Sequence, residues 1–306
     1  MNEKILIVGT GAVGGFYGAL LGKAGAEVSV VCRSDYDAVS ARGITVDSTN
    51  LGRWTFTPSR VLREAAEYGG GFPDYVILCC KVLEGLDRPT LIRDAVGENT
   101  RIVLIQNGIE IEPEIASAFP DNELISGLAF ICASRPGPGK VTHTAYGRLA
   151  MGLYPDGISD SVKTLCQLFE KAGIVCEATE DIIAARWRKC LWNASFNPLS
   201  VLSGGLDTLA TLSNQEALVR GIMEEVCAIA AALGHRLAAD VIETNVANTY
   251  DMPPYKTSML LDFKAGRPME TEAILGNAVR AGRRAGVAVP RLETLYGVMK
   301  LRELTR

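Results

Sequence analysis

Lys189, Asn193 and Asn197 stand four residues apart, the spacing that projects side chains from one face of a helix. The neighbouring positions are Trp187, Leu191, Trp192 and Phe196. Asparagine disfavours helix interiors, so two of them in register with a lysine describe a polar face lining a cleft rather than a solvated stripe. In such a place a lysine can hand over a proton, and an asparagine can both donate and accept hydrogen bonds. The chain holds only two histidines, His143 and His235. A Ser-His-Asp triad or a zinc site has little material, and an acid-base catalyst is expected to be something other than histidine.

A second group of residues is built for an anion. Gly9-Thr10-Gly11-Ala12-Val13-Gly14 matches G-x-G-x-x-G, in which the first glycine permits a tight turn, the second lets the backbone approach a pyrophosphate and the third allows close helix-strand packing. A helix opening there adds free N–H groups and the positive end of its dipole. Further on stands Cys32-Arg33-Ser34, where NAD enzymes usually carry an acid for the ribose 2′-hydroxyl. An arginine and a hydroxyl suit a 2′-phosphate, so the expected cofactor is NADPH; Asp35 and Asp37 nearby keep NADH open. Lys81 and Asn107 each follow an apolar run, and ligands of open parallel sheets lie beyond the carboxyl ends of the strands. Both are expected near the nicotinamide and substrate, which makes Lys81 a rival to Lys189 as proton donor.

These residues need elements to position them. Lys4 to Val8, Ala12 to Lys23 and Val28 to Cys32 read as strand, helix and strand, a βαβ unit. Gly43 to Val46 and Trp54 to Thr57 suggest a hairpin around Asn50-Leu51-Gly52, and Asp74 to Lys81 and Arg101 to Gly108 suggest buried strands ending in polar residues. Leu124 to Leu153 is β-rich around a surface turn at Arg135 to Gly139, followed by a helix over Val162 to Ala172 and a last strand over Gly173 to Cys176. Beyond Asp181 the pattern becomes helical: Leu218, Ile222, Val226, Ile229 and Leu233 trace one face. Ile274 to Ala285 and Pro290 to Leu304 read as two more helices, the latter with proline suited to its first turn. The segment from Lys256 to Glu272 mixes hydroxyls, charges and a Gly-Arg-Pro break, as expected of a site segment opening a helix. The fold class is therefore α/β, a Rossmann-type doubly wound sheet followed by an all-α domain. The domains are expected at 1–181, binding a dinucleotide, and 182–306, binding substrate and carrying the catalyst.

Composition narrows the partners. Of 306 residues, 31 are basic and 35 acidic, with no basic block, so nucleic acid is not expected. No apolar run reaches the roughly 18 residues needed to cross a bilayer, and the opening Met1-Asn2-Glu3-Lys4 reads as a cytoplasmic protein without signal peptide. The eight cysteines form no Cys-x-x-Cys pair and are expected to be buried thiols.

Taken together, the motifs resemble the ketopantoate reductase family. The resemblance rests on the Gly9 to Gly14 loop, Arg33, Lys81, Gln106-Asn107-Gly108, Lys189 with Asn193 and Asn197-Pro198-Leu199, and Ser258-Met259 with Asp262, Gly266-Arg267 and Glu270. It implies that NADPH delivers hydride to the 2-oxo carbon of ketopantoate, giving pantoate for coenzyme A synthesis. It further implies that Lys189 protonates the forming alkoxide and that Glu270 positions or polarises that site. Asn107, Asn193, Asn197 and Ser258 would bind the cofactor amide or the substrate. An ammonium aimed at a developing oxyanion suits hydride addition to a ketone. The family's usual Thr-Glu-Ile-Asp appears as Met269-Glu270-Thr271-Glu272, and Val82-Leu83-Glu84 follows Lys81. The expected partners are a small 2-oxo acid and, as an assembly, a homodimer. Another Rossmann-plus-helical dehydrogenase of small hydroxy or oxo acids, or a non-catalytic NADP(H) sensor, stands as the alternative.

Overall fold

The computed structural model describes residues 2–305. Two compact units make up the chain: Met1–Lys81 with Leu86–Gln106 and Glu112–Ile182 in one, Val82–Gly85 with Asn107–Ile111 and Ile183–Arg306 in the other.

The first unit is built on ten strands: β1 (Lys4–Val8), β2 (Glu27–Val31), β3 (Ile44–Ser48), β4 (Gly52–Phe56), β5 (Val61–Leu62), β6 (Tyr75–Leu78), β7 (Arg101–Ile105), β8 (Leu124–Gly137), β9 (Lys140–Leu153) and β10 (Cys176–Ala178). They lie in the order β4-β3-β9-β8-β7-β6-β1-β2-β5, with β10 beside β9. The run from β5 through β2, β1, β6 and β7 to β8 is parallel. The chain leaves β1 for β2 on one side and returns to β6 on the other, so the strand order reverses at β1, the Rossmann arrangement that opens a crevice at the carboxyl ends. Continuous burial of Ile5 to Val8 and Tyr75 to Leu78 is what parallel strands covered on both faces require.

Helix α1 (Ala12–Lys23) follows β1 and is buried from Gly14 to Leu21. It touches β1 and β2 as well as β3, β4, β8 and β9, which is why its sequence is apolar all round instead of amphipathic. The shorter α2 (Tyr36–Arg42) and α3 (Glu112–Ala118) follow β2 and β7. In α4 (Asp160–Lys171), Val162, Leu165, Cys166 and Phe169 are buried, and Ser159 caps the start by accepting from the Val162 amide. The β8-β9 hairpin is longer than its sequence suggests. Arg135 and Pro136 stay in the strand because Arg135 pairs with Asp35, whose other oxygen accepts from the Gly139 amide at 3.0 Å. The last strand begins three residues later than expected and ends two later, at Cys176–Ala178, since Val175 faces solvent.

The second unit contains helices α5 (Ile182–Leu202), α6 (Thr208–Ala232), α7 (Val241–Tyr250), α8 (Ser258–Lys264), α9 (Asn277–Arg284) and α10 (Pro290–Leu304). Its core joins Trp187, Leu191 and Phe196 of α5 to Ile222, Val226 and Ile229 of α6 and to Leu292 and Met299 of α10. Helix α6 begins ten residues before the apolar periodicity does, at Thr208 after the Asp207 cap, and kinks at Gln215, φ −139° and ψ 41°. The periodic stripe starts only after that break. A π-helical turn at Glu272–Gly276 precedes α9, where the sequence suggests one plain helix. No helix among the described residues is long and apolar enough to cross a membrane.

Candidate functional site

The glycine loop of the first unit separates packing from recognition. Gly9 adopts φ +97°, and a β-carbon there would strike the Cys80 backbone; at Gly14 it would strike the Gly9 carbonyl. Both glycines are demanded by the chain itself. Gly11 is different: a β-carbon on it meets no atom within 4 Å. It forms the N-cap of α1, with no side chain capping the turn, so the first amides of the helix, on Ala12 and Val13, lie open to an anion. Thr10 ties this loop to the end of β2, its hydroxyl donating to the Val31 carbonyl at 2.7 Å. A cradle with glycine where only a ligand would object to a side chain fits a dinucleotide pyrophosphate.

Just past β2, Arg33 and Ser34 are exposed. The nearer of the two acids that follow is engaged elsewhere. Asp35 is buried against Arg135, the Gly139 amide and the Ser34 hydroxyl, the last at 3.0 Å. Although burial pushes the other way, these hydrogen bonds hold its carboxyl below its ordinary value. Asp37 pairs with Arg63 at 3.4 Å. Lys81 is half-buried three residues after β6.

At the end of β7, Gln106 donates to the Cys80 carbonyl at 2.6 Å and accepts from Arg88 at 3.1 Å. Arg88 is 2% exposed and grips Glu114 through Nε at 2.9 Å and Nη2 at 2.5 Å. Nothing in the sequence marks Arg88, since a lone arginine before a proline carries no pattern.

The second unit brings Lys189, Asn107 and Glu270 together. The Lys189 ammonium donates to Asn107 Oδ1 at 2.7 Å, and Asn107 Nδ2 donates to Glu270 Oε2 at 3.3 Å. Only this orientation of the amide serves both, because an ammonium needs an acceptor and a carboxylate needs a donor. The other oxygen of Glu270 accepts from the Val82 amide at 3.1 Å. Glu270 is placed by its helix, for its carbonyl accepts from Ile274 at 3.1 Å and so opens the turn that becomes the π-helical segment. Such segments recur at functional sites, where they redirect a side chain at the cost of regular hydrogen bonding. Glu272, two residues on, is spent on Arg280, Tyr296 and Lys300, at 2.9, 2.7 and 2.9 Å.

Asn107 is fixed by the loop it begins. Gly108 adopts φ +107°, where a β-carbon would strike Ala273, and its carbonyl accepts from Arg186 Nη1 at 3.1 Å. The Ile109 amide donates to the Ala273 carbonyl at 3.1 Å, and Asn277 donates to the Ile109 carbonyl at 2.7 Å. Burial pushes the Lys189 ammonium down to about 7, the Arg186 charge acting the same way and Glu270 opposing it.

Asn193 and Asn197 follow Lys189 along α5, Asn193 half-buried and Asn197 2% exposed. The helix continues through Pro198 although proline supplies no amide for the preceding turn. Ser258 is exposed at the first position of α8. Its neighbour Thr257 caps that helix and hydrogen-bonds Ser200 of α5 at 2.7 Å, pinning the start of α8 one turn beyond Asn197. Asp262 is taken by Arg267 at 3.0 Å, a local clasp. His143 is buried in the first unit, its Nδ1 against the Ser48 hydroxyl at 2.8 Å, a structural role. All eight cysteines are thiols, five of them buried.

A Rossmann-type sheet with a G-x-G-x-x-G loop, joined in one chain to an all-helical unit holding a desolvated lysine, defines an α/β protein of the dinucleotide-binding class. The chain belongs to the ketopantoate reductase family: residues 5–156 match Ketopantoate reductase PanE/ApbA and residues 181–303 match its C-terminal counterpart. It is similar to the crystal structure of 2-dehydropantoate 2-reductase from Methylococcus capsulatus, with 63% identity, a TM-score of 0.94 and coverage of 98% of this chain and 97% of that one. The corresponding structure from Geobacter metallireducens GS-15 is 36% identical with a TM-score of 0.91, covering 97% and 99%. The 2-dehydropantoate 2-reductase of Nostoc sp. is 36% identical over 98% of this chain and 95% of its own length.

Proposed function

We propose that the chain reduces 2-dehydropantoate to pantoate with NADPH, within the pantothenate route to coenzyme A. The observation that carries this reading is the Lys189-Asn107-Glu270 array, with the ammonium 2.7 Å from the amide oxygen that orients it. The 63% identity to a 2-dehydropantoate 2-reductase over nearly the whole chain supports the substrate.

In this reading residues 1–181 bind the dinucleotide and 182–306 carry substrate and catalyst. Gly9, Thr10, Gly11, Ala12, Val13 and Gly14 cradle the pyrophosphate, Arg33 takes the 2′-phosphate, and Lys81 and Asn107 complete the cofactor site. When bound, NADPH supplies the hydride for the 2-oxo carbon. Lys189 stabilises the negative charge that then grows on oxygen and delivers the proton that makes the hydroxyl. An ammonium brought down to about 7 by burial is well matched to giving up a proton at neutral pH. Glu270 keeps Lys189 charged until that moment and, through Asn107, fixes its direction. Asn193, Asn197 and Ser258 hold the substrate's polar groups.

A panel of 2-oxo acids, each offered with NADPH and with NADH, tests the assignment by loss of absorbance at the nicotinamide band. 2-Dehydropantoate with NADPH is expected to give the highest kcat/KM. A different 2-oxo acid in first place refutes the substrate, and no oxidation of either cofactor with any acid refutes the activity.

A further inference from the structure

Arg186 is 1% exposed and lies on α5 one turn ahead of Lys189. Two cations on adjacent turns of one helix repel, and a guanidinium withdrawn from water is costly unless hydrogen-bonded. A buried guanidinium must hold acceptors, and one of those that Arg186 holds is the Gly108 carbonyl, at 3.1 Å. The next residue along, Ile109, is bonded at both its amide and its carbonyl to the helix that begins after Glu270. The loop is thus fastened from two sides, and Asn107, at its head, is the residue that meets both Lys189 and Glu270.

We propose that Arg186 is a positioning residue for the proton donor: by holding the Gly108 carbonyl to α5 it keeps the Asn107 amide seated on the Lys189 ammonium. This rests on the reading of Lys189 as the general acid. The charged groups acting on Lys189 are Arg186 from its own helix and Glu270 from the segment ahead of the π-turn; the loop contributes the neutral Asn107. Arg186 therefore has two separable effects, a tether on the loop and a like charge beside the ammonium.

Three variants separate them. Arg186→Met removes tether and charge, Arg186→Gln keeps a donor for the Gly108 carbonyl without the charge, and Arg186→Lys keeps charge and a donor. Because misplacement by about 1 Å can cost on the order of 10²-fold, Arg186→Met is expected to lower kcat by about 10-fold to 10²-fold with KM for NADPH unchanged. Arg186→Lys and Arg186→Gln should each recover part of that loss. A second readout does not depend on turnover: the pH dependence of Lys189 acetylation by acetic anhydride, followed by peptide mass spectrometry. Its midpoint is expected to rise in Arg186→Gln and Arg186→Met and to stay near the parent value in Arg186→Lys. Should Arg186→Met not fold, Arg186→Leu, which likewise offers the Gly108 carbonyl no donor, carries both readouts in its place. Parent-like kcat in Arg186→Met would overturn the proposal, with or without a loss of thermal stability. If Lys189→Ala turns over normally, the general-acid reading fails, while the acetylation midpoints still report whether Arg186 acts on Lys189.

Discussion

Gln106 and Asn107 are neighbours in the chain, fall in different units, and each lends an amide oxygen to a desolvated cation. Gln106 accepts from Arg88, whose guanidinium also grips the Glu114 carboxylate with two nitrogens. Asn107 accepts from Lys189, and the carboxylate of Glu270 stands on the far side of the same amide. A planar fork that meets a carboxylate directly stays charged and stays in place. An ammonium held through an amide, with burial and Arg186 both working against its charge, is brought down to about 7. One cation braces the strand ends, and the other is the one to which the proposed mechanism gives the proton transfer.

The largest expected effect breaks the second arrangement. Lys189→Ala should lower kcat by roughly 10²- to 10⁴-fold, the range of a positioned acid, with NADPH affinity measured by fluorescence titration little changed. Lys81→Ala is the control, because Lys81 also follows a sheet strand. A dead Lys81→Ala beside an active Lys189→Ala would transfer the acid role. The pH dependence has a definite sign: the proposed mechanism needs the ammonium form for reduction, so kcat/KM should fall as pH rises above about 7, the value to which burial brings Lys189. Stability runs the other way. With a folded value below the ordinary 10.5, the unfolded chain binds more protons between about 7 and that value, so the contribution of Lys189 to stability rises across this window and its cost is fully present below it. Removing the amine should therefore leave thermal stability near neutral pH equal or higher.

Arg88→Met should do the reverse. It removes the donor that Gln106 holds at 3.1 Å and the cation that Glu114 holds; because Glu114 is 44% exposed and can be hydrated, the expected cost is about 1–3 kcal/mol, that of an unmade buried hydrogen bond. Chemical denaturation at neutral pH reads the loss, and kcat at a temperature where the variant is folded should stay within a few-fold of the parent. A variant of unchanged stability would show that the Arg88 contact is not a brace.

Much of this was legible in the sequence because it is local. The glycine spacing, the alternation of apolar runs with a helix between them, and Pro290 at the first turn of α10 are set by residues a few positions apart, and the structure has α1 and α10 at the expected bounds. The four-residue spacing of Lys189, Asn193 and Asn197 foretold one helical face for the same reason. What stayed hidden depends on partners far along the chain. Arg88 meets Glu114 and Gln106, Arg186 meets Gly108, and Asn107 joins Lys189 to Glu270 across separations of 82 and 163 positions; no periodicity announces such pairings. The π-turn at Glu272–Gly276 was hidden too, since its apolar residues also fit a regular helix.

The smallest expected effect sharpens the account of the first unit. Arg33 is exposed beyond β2, where its head can meet a 2′-phosphate, and Asp35, the nearer acid in the chain, is committed to Arg135 and the Gly139 amide. A hydrogen bond to a charged group contributes about 1.5–3 kcal/mol, which is about 10- to 10²-fold in binding. Because Arg33 is exposed, solvent screening favours the lower figure. Arg33→Ala should thus raise KM for NADPH by about tenfold while KM for NADH moves little, since NADH has no phosphate there to lose. The difference should shrink with added salt, as expected for an ion pair open to solvent. Equal loss for both cofactors would mean that Arg33 supports the adenosine end without reading its phosphate, and the NADPH assignment would then have no residue to rest on.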